Sequence, residues 1–145
     1  MATSIELLDA TRKRVGEILS AHFVDLIDFH DGSWAIPHGS TSVMVVVRPF
    51  TESDTVVEVL AQCVTGATMT VELATWLLRK NAELHFGGFG LLFDDTVVFT
   101  YALPGNALTT EELESAIASV AVIADHYDDE IVAMGGGKRF ADLDA

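Results

Sequence analysis

Apolar residues open the chain at three- and four-residue steps. Ile5, Leu8, Val15, Ile18 and Leu19, with His22, fall on one face of a helix over residues 5–22. Glu6, Lys13 and Glu17 lie opposite, Arg12 sits at the margin of the stripe, and Thr3 with Glu6 has capping-box spacing. After Asp28 the period shortens. Asp31-Gly32 is a turn signal before a short strand over 33–36, which Pro37 ends or places on a sheet edge. Residues 43–48 and 56–64 read as two longer strands joined by the turn 49–54. In the second of these Val57, Val59, Ala61 and Cys63 share a wholly apolar face, while Val56, Glu58, Leu60, Gln62 and Val64 share a mixed one.

The helical period returns over 70–82, capped by Thr68 or Thr70. Its apolar set of Val71, Leu73, Ala74, Trp76, Leu77 and Leu78 runs most of the way round, the pattern of a helix covered on more than one side. A hairpin follows: Phe89–Phe93, the turn Asp94-Asp95, then Thr96–Leu103. Phe89, Leu91 and Phe93 alternate on one side of it, as do Val97, Phe99, Tyr101 and Leu103. Pro104-Gly105-Asn106 breaks the strand. The capping box Thr109-Thr110-Glu111-Glu112 then starts a helix to about residue 131, with Leu113, Ala116, Ile117, Val120, Ala124, Tyr127 and Ile131 as its buried stripe. The expected fold is α+β, an antiparallel five-stranded sheet with three helices in the order α-β-β-β-α-β-β-α. It forms one domain over 1–133, followed by a Gly-rich linker and a loose tail over 134–145.

A chain of 145 residues buries roughly two-thirds of its extended surface, enough for a core without metals or cross-links. The lone Cys63 cannot form an internal disulfide, which fits a reducing compartment. With 22 Asp and Glu against 8 Lys and Arg, the formal charge is −14. Nucleic-acid and anionic-membrane partners are therefore not expected, since their affinity comes from neutralised phosphates. The positive mean hydropathy of +0.36 argues against disorder. No basic segment leads into an apolar one at the N-terminus, and no run approaches the ~18 apolar residues of a spanning helix. A soluble cytoplasmic protein is expected.

Candidate chemistry is sparse. Gly137-Lys138 fails the phosphate-loop pattern, with Val132 where a glycine is required and Arg139 where Ser or Thr is required. Phe86-Gly87-Gly88-Phe89-Gly90 leads into a strand rather than a helix, so its glycines read as a bend or a close packing point. His22, Asp25, Asp28, His30, Asp31 and His38 carry no ligand motif. The acidic run 125–130 reads as a solvated helix face, and Cys63 as a buried structural thiol. No catalytic residue, metal or cofactor is assigned, and no enzymatic activity is expected. The informative feature is apolar surplus: three helices cover one sheet face, while Met44, Val46, Val56, Leu60 and Val64 belong to the other, less uniform faces. Such a surplus points to subunit pairing or capture of an apolar segment, unless loops and the long helix cover it.

From residue 77 to 128 the chain reads Leu77-Leu78-Arg79-Lys80-Asn81, Phe86-Gly87-Gly88-Phe89, Asp94-Asp95, Leu108-Thr109-Thr110-Glu111-Glu112-Leu113 and Ala124-Asp125-His126-Tyr127-Asp128. In these segments it resembles the YbjN and type III secretion chaperone-like group of small peptide-binding chaperones; the first half agrees in element order. The resemblance implies a non-enzymatic homodimer that holds a poorly folded partner segment. By position it places Val71, Leu73, Trp76 and Leu77 at the dimer seam, and Trp34, Ile36, Met44 and Val46 against the client. An extended client can add a strand to a free sheet edge, and the acidic charge favours basic clients. The expected function is a dimeric peptide-binding chaperone or adaptor. The alternatives are a regulatory or structural domain that binds a folded partner, and an enzyme or metal protein built on His22 or His30.

Overall fold

The computed structural model describes residues 2–39 and 41–143. Its elements are α1 (Ile5–His22), β1 (Ile27–Asp28), β2 (Ser33–His38), β3 (Thr41–Pro49), β4 (Thr55–Thr65), α2 (Val71–Glu83), β5 (Gly88–Leu91), β6 (Val97–Pro104), α3 (Thr110–Gly135) and β7 (Lys138–Arg139), ending in a 3-10 turn over Phe140–Asp142. The fold is α+β with three helices and an antiparallel sheet, as the hydrophobic pattern implies. Among the described residues the sheet has seven strands rather than five, ordered β1-β2-β3-β4-β6-β5 with β7 added against β4. The two extra strands are two residues long, too short for an alternation to register in sequence.

All three helices cover the same sheet face. Register aligns Trp34 with Val45, Val59 and Tyr101, and aligns Ile36 with Val43, Ala61, Phe99 and Phe89. These inward rows share one core with Val15, Ile18 and Leu19 of α1, Leu73 and Leu77 of α2, and the buried stripe of α3. Each large aliphatic side chain sealed there contributes about 1.5–3 kcal/mol. The stripe of α1 is buried only in its middle, since Ile5 and His22 at its ends are exposed.

Local differences from the sequence pattern have local causes. Ser4, not Thr3, caps α1 by accepting the Leu7 N–H. Thr3 is drawn instead to the β3–β4 turn, donating to the Thr51 carbonyl and accepting from the Phe50 N–H. A bulge between Gln62 and Val64 breaks the alternation of β4, so that Cys63 and Val64 are both buried and Val64 leaves the mixed face. The β5–β6 hairpin ends at Leu91, leaving Leu91 half-exposed and Phe93 fully exposed rather than in line with Phe89.

The glycine-rich segment is not a linker. Gly135 completes α3, and Gly136 follows as its C-cap with φ 73°. The expected loose tail returns to the sheet: Lys138 and Arg139 pair with Thr65 and Val64 of β4. Arg139 holds the return in place through Asp129 at 3.1 Å and Asp142 at 2.9 Å. Asp144 and Ala145 lie outside the described residues.

Candidate interaction surfaces

Among the described residues, no helix lies on the far face of the sheet. Ala35, Met44, Leu60 and Thr100 form one row across it; Ser33, Val46, Glu58 and Ala102 form the next; Arg48, Val56 and Pro104 form a third. Met44, Val46, Val56 and Leu60 are half-buried by their neighbours alone and belong to no part of the core. The Arg48 guanidinium pairs with Glu58 at 2.9 Å at the margin of this apolar ground. Two shallow hollows meet at Ala102, one of about 190 Å³ beside Glu58, Leu60 and Thr100 and one of about 220 Å³ lined by Phe50, Val56 and Pro104.

The four residues expected against a client therefore separate. Antiparallel pairing sets Trp34 opposite Val45 and Ile36 opposite Val43, which turns both side chains inward to the core under the helices. Met44 and Val46, one residue out of step with those partners, point to the open face.

The α2 set divides likewise. Leu73 and Leu77 are core residues, and Val71 is 85 % exposed, as is Leu78 at 71 %. Trp76 is half-buried between them. Its ring meets Phe89 at 5.9 Å and Tyr127 at 5.6 Å, and the Lys80 ammonium sits 5.6 Å above it.

The two ends of the strand order differ in chemistry. At β5, the side chain of Asn81 from α2 accepts the Phe89 N–H at 2.7 Å and donates to the Phe89 carbonyl at 3.1 Å. Those are the two bonds that a neighbouring strand would otherwise make. Gly88 leaves room for this amide, since a Cβ there would lie 3.3 Å from its oxygen. At the other end, β1 pairs only with β2 among the described residues, and Ile27 within it and Val24 and Phe29 beside it expose apolar side chains near Asp25 and Asp28. The Asn81 clasp has no signature of its own in the sequence, where one amide on a helix carries no pattern. The motif segment containing it is the sole signal that points there.

The remaining chemical candidates disperse. The His22 ring pairs with Glu114 at 2.8 Å, and His30 lies 3.7 Å from Asp28. Among the described residues no three His, Cys, Asp or Glu side chains gather as metal ligands. Cys63 is buried, and burial, with the Asp128 charge second, pushes its thiol up to about 12, so it is protonated at neutral pH. No helix among the described residues is long and apolar enough to cross a membrane.

A protein-family model described as "T3SS (YopN, CesT) and YbjN peptide-binding chaperone 1" matches residues 7–143. Among solved structures, the ExsC-ExsE complex contains a chain with the same fold, at TM-score 0.65 and 14 % identity, covering 86 % of this chain and 96 % of that one. The HopA1-SchA chaperone-effector complex contains another, at TM-score 0.56 and 12 % identity, covering 86 % and 91 %. No curated protein matches the chain by sequence.

Proposed function

The chain belongs to the T3SS and YbjN peptide-binding chaperone family, and from that membership we propose that it holds an extended segment of a partner protein on the open face and free β1 flank of its sheet. The observation that carries this reading is the uncovered ground of Met44, Val46, Val56 and Leu60, apolar side chains that the core does not use. The β1 flank supports it by offering outward backbone groups that no strand among the described residues pairs with, beside exposed Ile27 and Phe29, so that main-chain bonds supply affinity and side chains supply preference. The reading is non-enzymatic, with Met44 and Val46 kept as client contacts, and Trp34 and Ile36 supporting the sheet from its other side. It is also a homodimer, its seam on the outer side of α2 at Val71 and Leu78 with the exposed portion of Trp76. Leu73 and Leu77 back that seam from within the core.

Co-purification from native lysate, followed by the double variant Met44→Thr, Leu60→Thr, which puts β-branched residues at this cross-strand pair, tests the client face. Both side chains lie outside the core, so thermal unfolding should stay within a few degrees while the partner is lost. Undiminished retention of the partner refutes the assignment of this face. A partner that is folded on its own favours the regulatory or structural interaction domain instead.

A further inference from the structure

On the helix-covered side of the sheet, a groove of about 370 Å³ lies between the first turns of α3 and the loop preceding β5. Tyr101 and Ala116 line it, and the Phe86 ring stacks on Tyr101 with centroids 5.9 Å apart and planes 22° apart. The α3 wall presents Glu111, Glu112, Ser115 and Ser119, which recur at helical spacing along one flank. None of the eight Lys and Arg residues lines this groove. One Glu112 oxygen serves the Thr109 capping box, while Glu111 pairs with no cation among the described residues.

Concavity, aromatic faces and unneutralised carboxylates occur together here, in a molecule of formal charge −14. We infer that this groove takes an arginine side chain of an extended partner segment, its guanidinium laid against the Tyr101 and Phe86 rings and its N–H groups directed to Glu111 and the serine hydroxyls. A planar, weakly hydrated guanidinium stacks on aromatic faces and offers donors to carboxylates at the same time. A purely apolar occupant would bury the acidic wall without a partner, and an anionic one would be repelled. Elsewhere in the chain the Lys80 ammonium already sits over rings, 5.6 Å from the Trp76 centroid and 5.3 Å from that of Tyr127. The inference rests on the reading that the partner presents an extended segment. It concerns a different surface from the open face, because Tyr101 lies in an inward row.

The test uses the full chain, isotopically labelled, titrated with the capped dipeptide acetyl-Leu-Arg-amide and its norleucine and glutamate counterparts. Amide shifts should saturate at Phe86, Glu111, Ser115 and Ser119. The arginine peptide should bind about fivefold tighter than the norleucine one, the sum of one exposed cation–π contact and one exposed ion pair. Glu111→Gln and Phe86→Ser, both at exposed positions, should each remove some of that preference, with the rest of the spectrum unchanged. Equal binding of arginine and norleucine, or a preference that survives both substitutions, overturns the inference. So does the absence of saturable shifts at millimolar peptide. Shifts confined to Met44 and Leu60 also overturn it, while leaving the chaperone reading intact.

Discussion

Asp128 is a carboxyl group inside the buried stripe of α3, where neighbouring turns supply Ala124 and Ile131. Burial first, then the charge of Asp129, raises its pKa above 3.8. A raised folded value means that the native state binds the proton more tightly. This group's stabilising contribution is therefore complete below 3.8 and is lost as pH rises through the raised value. Asp128→Asn should raise the melting temperature at neutral pH and give no gain in acid below that value, as read by thermal unfolding across pH. Gly87 is a second single-residue constraint. It has φ 78°, and a Cβ there would run into the Thr100 carbonyl oxygen. Gly87→Ala should cost roughly 2 kcal/mol or more in chemical denaturation. The sequence showed that glycines before β5 mark a bend or close approach, and that Cys63 lies on an apolar strand face. It could not show which glycine carries the positive φ, because that depends on the β6 backbone, more than ten residues away.

Among the elements, α2 couples the core to the surface. Trp76 shares an aromatic cluster with Phe89, Phe99 and Tyr127. A charge there should unfold the chain rather than merely separate a pair of copies. Leu78→Glu is the cleaner probe: the side chain is already exposed, so light scattering should show a monomer that still unfolds cooperatively, at a temperature that no longer depends on protein concentration. Asn81→Ala should cost about 1–3 kcal/mol by leaving the Phe89 amide and carbonyl without their partner. It should also let β5 take up a strand peptide, measurable as a second equivalent in calorimetry. Long periodic elements were legible in sequence because each carries several repeats of its pattern. β1 and β7 were not, since two residues hold no period and their pairing is decided by the edges of β2 and β4.

At the scale of the molecule, the apolar surplus could be counted from the sequence, but the face that bears it could not. Trp34, Ile36, Met44 and Val46 all read as strand residues. Only the β2–β3 register sends the first two to the core and the last two to the open side. Charge acts at this scale as well. With a net −14, association with a basic peptide should slow by roughly tenfold between low and physiological ionic strength. Stopped-flow fluorescence measures that directly, and an acidic peptide should show the opposite trend.

A protein with a free strand at one end of its sheet risks becoming the seed of a fibre, and the Asn81 amide bears on that hazard. Polymers lengthen only when every unit has two sticky ends. Here one terminus of the ladder is already answered from within, by a side chain imitating a strand. Strand-to-strand pairing at the remaining terminus can therefore join two copies but cannot by itself propagate along the ladder into a filament.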